Sequence, residues 1–315
     1  AEQRAHSTLG CDAFDRMTTM EGRTAGVSSA ARLRLILGVF KLRIGFLIML
    51  TALAGLAISP APAPPAWQVL VMALAVLVAS ASSGAFNQFV EADSDRSMAR
   101  TRSRAFASGA LHAGPAWMAV ILVLLAVAVA VTWLMFNGAA ALYLFLGAFT
   151  YGVIYTIGLK RRTWLNIVFG GAAGSFAVLT GAAVADPALG PLPLLLALIL
   201  FLWTPPHFWS LAIANRDEYA GAGIPMLPVV VGVERAARIV HVNAWVLVLV
   251  SFLPALFGAG LIYLFAAIAG GAWFLLRTAK LARSPDRRTA LAAFFASMVQ
   301  LAVLIGGVAL DALFR

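Results

Sequence analysis

The chain carries thirteen carboxylates in 315 residues, and five of them fall in two short segments. The first reads Asn87-Gln-Phe-Val-Glu91-Ala-Asp93-Ser-Asp95-Arg96. Asn87, Glu91 and Asp95 recur at every fourth position. At about 100° per residue, a helix carries them only about 80° around its axis. Three oxygen-bearing side chains therefore share one side, and Asp93 falls on another. A row of hard oxygen ligands suits Mg²⁺, which keeps several waters and binds through one or two carboxylates together with the phosphate oxygens of a substrate. The competing reading is a solvated helix end balanced by Arg96 and Arg100.

The second segment, Asn215-Arg216-Asp217-Glu218-Tyr219, is followed by Gly221-Ala-Gly-Ile-Pro-Met-Leu-Pro228. Two carboxylate groups facing each other across a bundle could clamp a diphosphate through metal ions, which makes Asp217 and Glu218 candidate ligands. Taken alone, they equally suit a loop kept soluble by charge. Basic residues gather near both segments: Arg100, Arg102 and Arg104, then Lys160, Arg161 and Arg162 after Tyr151-Gly-Val-Ile-Tyr155. Cations so placed can neutralise a departing diphosphate. Lys160 and Arg161 are candidates for that role as well as for anchoring helix ends.

Composition says what must position these groups. Hydrophobic residues make up 62% of the chain and charged ones 11%, against about 25% charged in soluble domains. So little charge cannot build a water-facing surface, and the lipid bilayer must solvate most of the exterior. Nine apolar stretches are long enough to cross it as helices, roughly 44–60, 67–90, 115–135, 138–158, 164–184, 191–213, 236–257, 259–277 and 290–311. An all-α, polytopic membrane protein is expected.

Both acidic segments and every basic cluster fall in alternate connections. The others, such as Ser59–Ala66 and Ala185–Pro191, hold no Lys or Arg. That asymmetry puts the N-terminus and the charged loops on the cytoplasmic side of a cell (inner) membrane. The net charge of +10 is spread over these loops in short clusters between apolar runs, which argues against a nucleic-acid surface. One cysteine, Cys11, excludes a disulfide framework. Residues 1–34 are expected to be a disordered polar arm without a cleavable signal, and residues 35–315 the nine-helix domain.

Two features inside the spans stand out. His207 lies mid-span after Pro205 and Pro206, where a polar ring needs a partner. That partner is either a ligand or a carbonyl freed by a proline kink. Gly170, Gly171, Gly174 and Gly181 would let the fifth span pack closely.

Taken together, the motifs resemble the UbiA-type intramembrane prenyltransferases. Asn87–Asp95 matches the first Asp-rich motif of that group. Arg100-Thr-Arg-Ser-Arg104, Tyr155-Thr-x₃-Lys-Arg-Arg-Thr163, Pro206-His-Phe-Trp209 and Ala222-Gly-Ile-Pro-Met-Leu-Pro228 are similar to its haem-modifying branch. The resemblance covers about residues 38–311.

It implies a UbiA-type bundle that transfers a farnesyl group from farnesyl diphosphate to a vinyl group of haem B, with water addition, giving haem O. It further implies Mg²⁺ at Asn87, Glu91 and Asp95, with Asp217 and Glu218 opposite, and Tyr155 and Lys160 in the catalytic set. The diphosphate falls to Arg100, Arg102, Arg104, Lys160 and Arg161, and haem to His207. A downstream haem A synthesis enzyme is the implied partner. The chain departs from the pattern at Lys41-Leu-Arg43, at Ala105-Phe106, and in lacking a second Asp-x₃-Asp.

The rivals are a related enzyme acting on a quinone precursor or chlorin, and a transporter. A transporter would place its charges near mid-membrane, often in repeated halves. Here they sit at helix ends on one side.

Overall fold

A computed structural model describes residues 29–314. The chain folds as α1 (Ser29–Val39), α2 (Leu42–Ile58), α3 (Ala66–Val90), a short α4 (Ala92–Arg96), α5 (Pro115–Met135) and α6 (Gly138–Phe149), which continues as a π-helical segment, Thr150–Leu159. Then follow α7 (Asn166–Ala185), α8 (Pro191–Ala214), the short α9 (Arg216–Gly221) and α10 (Leu227–Val231), α11 (Val233–Val250), a single turn α12 (Leu253–Leu256), α13 (Leu261–Arg283) and α14 (Arg287–Leu313). No strand occurs among the described residues.

Eight helical stretches are each long and apolar enough to cross a membrane. The first expected span reaches that measure only with its predecessor: Leu33–Val39 and Leu42–Ile58 are bent by 47° at Phe40 and Lys41, and count as a ninth span if taken as one. Helix α1 begins at Ser29, inside the stretch expected to be a disordered arm. The rest of that arm, with Cys11, lies outside the described residues.

The outer surface is apolar: Leu134 is 75% exposed, Phe265 68% and Trp133 66%. Such a surface is stable in lipid and not in water. Consecutive long helices pack on one another, and α14 returns against both α2 and α8 to close the bundle.

Glycine sets the closest approach. A Cβ at Gly55 of α2 would overlap the Val178 carbonyl of α7, and one at Gly181 of α7 would overlap the Ala52 carbonyl of α2. Small residues thus bring two backbones into reciprocal contact. Gly170 and Gly171 likewise make room for Tyr155 and Thr204, whereas Gly174 faces open space.

The short helices α4, α9 and α10 share one end of the bundle, and the turn α12 lies at the other, where the Gly260 amide bonds Asp311 near the end of α14 at 2.9 Å. At the start of α14 the Asp286 carboxylate accepts from the Thr289 amide at 2.7 Å and the Thr289 hydroxyl bonds back to the Asp286 amide, a capping box. These bonds hold the Asp286 carboxyl below the usual carboxylate range.

Candidate active site

Helix α3 delivers the acid row. It ends at Val90, yet the Glu91 amide still bonds the Asn87 carbonyl at 3.0 Å and the Asp95 amide the Glu91 carbonyl at 2.8 Å. The helical repeat therefore carries through the junction into α4. Asn87, Glu91 and Asp95 are 2%, 4% and 3% exposed. Asp93 points outward, its side chain 91% exposed and paired with Arg96 at 2.8 Å. The expected helical face is present.

Opposite the row stands the π-helical segment. Its hydrogen bonds close over five residues, as in the Lys160 amide to the Tyr155 carbonyl at 2.9 Å. Residues five apart are thereby brought to one side. Tyr151 and Thr156, and Tyr155 and Lys160, form two such pairs. Thr156 accepts from Asn87 Nδ2 at 3.0 Å, and Lys160 Nζ meets Glu91 Oε1 at 2.5 Å. Tyr155 stacks on Tyr151 with ring centroids 5.7 Å apart. Asn166, at the start of α7, donates to the Lys160 carbonyl at 3.0 Å and so holds the lysine's backbone.

Two further cations complete the ring. The turns after α4 fold back so that Arg104 meets Asp95 Oδ2 at 2.7 Å. Lys41, at the bend between α1 and α2, holds a left-handed backbone with φ 48°, a costly conformation for a side-chain-bearing residue. Its Nζ donates to Asn87 Oδ1 at 2.5 Å and lies 3.5 Å from the Tyr151 hydroxyl. Each oxygen group of the row is thus matched to one cation.

Lys41, Thr156, Asn166 and Gln88 were not singled out as site residues from the sequence. For Lys41 the available signal was its place in Lys41-Leu-Arg43. Thr156 and Gln88 stood unremarked inside the Tyr155-Thr-x₃-Lys and Asn87-Gln-Phe-Val-Glu91 motifs, and Asn166 follows Thr163 by three residues.

Divalent-cation binding can be weighed from the donors present. Among the described residues no group of three or more His, Cys, Asp and Glu converges. However, Mg²⁺ needs only one or two carboxylates beside phosphate oxygens. Glu91 Oε2 is buried without a hydrogen-bond partner, and so is Glu218 Oε2 in α9. Unsatisfied carboxylate oxygens fit a cation.

The remaining predicted residues separate. Asp217 does not join Glu218: its side chain is 94% exposed and paired with Arg216. Adjacent residues on a helix point about 100° apart, so one turns in and the other out. Tyr219 is 6% exposed, with Arg100 beside its hydroxyl. Burial, and then the Glu218 carboxylate, raise the Tyr219 phenol above its usual range against the pull of Arg100. Arg100 therefore links the first basic loop to the second acidic helix. Arg102 and Arg161 are exposed.

His207 is satisfied within the bundle. Its Nδ1 lies 2.7 Å from the Ser297 hydroxyl, and the ring stacks on Trp203 at 4.1 Å and Phe294 at 4.5 Å. Two rings this close must occupy opposite faces of the imidazole, which closes both faces to stacking by a ligand and leaves only the ring edge for contact. The partner is a hydroxyl of α14 rather than a carbonyl freed by a kink, and α8 runs on through Pro205 and Pro206.

Residues 48–299 match the UbiA prenyltransferase family model. The chain is 53% identical over 283 residues to protoheme IX farnesyltransferase 2 of Paramagnetospirillum magneticum, covering 90% of this chain and 98% of that one. It is 45% identical to protoheme IX farnesyltransferase 1 of the same organism, covering 87% and 96%. Among solved structures the fold resembles a digeranylgeranylglyceryl phosphate synthase, with TM-score 0.75, 16% identity, and 90% and 99% of the two chains covered. It also resembles a UbiA homologue of Archaeoglobus fulgidus bound to DMAPP and Mg²⁺, with TM-score 0.66, 15% identity, and 85% and 99% covered. A membrane bundle carrying this acid row, and matching that model over most of its length, belongs to the UbiA prenyltransferase family.

Proposed function

We propose that this chain is a prenyltransferase that moves the farnesyl group of farnesyl diphosphate onto a vinyl group of haem B, producing haem O. The observation that carries the chemistry is the buried row Asn87, Glu91 and Asp95, faced by Lys41, Lys160 and Arg104. An anionic headgroup can be neutralised there while its apolar tail lies among the helices. The acceptor is supported by the relatives named protoheme IX farnesyltransferase.

Glu91, Asp95 and Asn87 would hold a divalent cation, and Glu218, with its buried unpartnered Oε2, would be a further ligand. Bound there, Mg²⁺ would supply charge neutralisation for the diphosphate leaving group. Lys160 and Arg104, now paired with Glu91 and Asp95, turn to the phosphate oxygens when substrate arrives. Arg100, Arg102 and Arg161 extend the positive field at the mouth.

The C1–O bond of farnesyl diphosphate breaks and its electron pair leaves with the diphosphate. The vinyl group attacks the allylic cation, and water captures the resulting cation beside the porphyrin, losing a proton. Enclosure among helices keeps bulk water from the first cation.

The same reading places the charged end of the bundle at the cytoplasmic face of the inner membrane and has a haem A synthesis enzyme take up the product. The test is mass spectrometry of haem after incubating the purified protein with haem B, farnesyl diphosphate and Mg²⁺. Hydroxyethylfarnesyl haem is expected. Its absence, with farnesyl diphosphate consumed on another acceptor, would transfer the chain to a different branch.

A further inference from the structure

Beside the acid row lies a cavity of about 430 Å³ between α1, the end of α3 and the turns that follow α4, lined by Arg34, Gly38, Gln88, Ser103 and Arg104 among others. Gln88 stands seven residues before Asp95, a separation that places the two only about 20° apart around a helix axis. The cavity therefore adjoins the row without being part of it.

Its charge is unbalanced. Arg104 commits Nη1 to Asp95 and keeps its other donors, and no carboxylate among the described residues pairs with Arg34. Gln88 is 3% exposed. Its Nε2 donates to the Gly38 and Val39 carbonyls at 2.8 and 3.1 Å, which pins the end of α1, and its Oε1 is buried without a partner. That oxygen is an acceptor, so a water can complete it and a carboxylate cannot.

The two guanidinium groups lining the cavity select a small anion at the membrane boundary. The acceptor proposed above carries two vinyl groups toward one edge and two propionate carboxylates toward another. A carboxylate is costly to bury in lipid, so the propionates must stay at the interface beside cations. Glu91, Asp95, Lys160 and the Nη1 side of Arg104 are already assigned to the diphosphate end, and Arg34 with the remaining Arg104 donors is the adjacent cationic pair to spare.

We propose that Arg34 and Arg104 form a subsite for a propionate of the porphyrin acceptor, in a cavity whose α1 wall Gln88 holds in place through its amide donors. A guanidinium holds a carboxylate by two parallel hydrogen bonds. The anchor fixes which edge of the macrocycle faces the acid row and hence which vinyl group reacts. The inference rests on the haem-farnesylating function.

The experiment compares protohaem with its dimethyl ester, whose propionates are masked, as acceptors for the full-length protein in lipid nanodiscs at saturating farnesyl diphosphate. With unaltered protein, the diester is expected to show a KM about tenfold higher, the size of one charge-assisted contact. Arg34→Gln should raise the KM for protohaem about tenfold and leave that for farnesyl diphosphate unchanged. It should also abolish the preference over the diester, and Arg34→Lys should restore part of it.

Equal use of haem and diester by the unaltered protein overturns the subsite whether or not Arg34→Gln folds. A rise in KM for farnesyl diphosphate instead reassigns Arg34 to the donor. Failure of the unaltered protein to farnesylate either porphyrin removes the parent function, and the subsite with it.

Discussion

Replacing Asp95 and Asp93 separately by alanine sets two neighbouring carboxylates against each other. Asp95 is 3% exposed and ion-paired with Arg104, whose side chain is 24% exposed. Asp93 is bound only to Arg96, at 91% and 58% side-chain exposure. Loss of Asp95 removes one oxygen ligand from the proposed cation site and leaves Arg104 without its partner. A group acting on developing charge in an enclosed site is worth several kcal/mol, so the rate should fall by about 10³-fold.

Stability should fall too. Breaking a fully buried pair costs about 3–5 kcal/mol, and partial exposure of Arg104 reduces this to about 2 kcal/mol. Asp93→Ala removes an exposed pair of the class worth less than about 0.5 kcal/mol, and turnover should stay within about twofold. The assay is farnesyl transfer by protein in nanodiscs across a Mg²⁺ series, with thermal unfolding measured on the same samples. Asp95→Ala should also raise the Mg²⁺ concentration needed for its residual rate. Equal losses at positions 93 and 95 would refute the argument from the helical face.

Three further outcomes follow from the geometry. Gly181→Leu should prevent assembly of the bundle, because its side chain would overlap the Ala52 carbonyl, whereas Gly174→Leu, facing open space, should yield folded protein by size-exclusion chromatography. His207→Ala should lower the unfolding temperature by removing the Ser297 bond and both ring stacks. Its haem affinity, read by absorption, should be unchanged, and a selective loss of haem binding would assign His207 the ligand role. Cysteines introduced at positions 102 and 283 should be labelled only from the cytoplasmic side, and one at position 63 only from outside; the reverse pattern would invert the orientation.

Which features the sequence determined follows from the range of the interactions that make them. A span is decided by some twenty consecutive residues, since backbone groups in lipid must bond within their own segment. The eight single spans accordingly fall close to the stretches read from hydropathy. The face shared by Asn87, Glu91 and Asp95, and the exclusion of Asp93, follow from the helical repeat over nine residues. They needed only that the repeat continue past Val90, which the Glu91 and Asp95 amides ensure.

Tertiary structure decided the partners. Lys160 reaches Glu91 across 69 positions and Lys41 reaches Asn87 across 46, and no local pattern tells one arginine or lysine of the mouth from another. The π-helical segment that turns Thr156 and Lys160 to the row is likewise a product of packing, with Gly170 of α7 seated against Tyr155. Asp217 and Glu218 looked equivalent in sequence. The direction of α9 sent Glu218 inward and left Asp217 in water with Arg216. Local periodicity chooses which side chains travel together, and only the docking of one helix against another chooses what they meet.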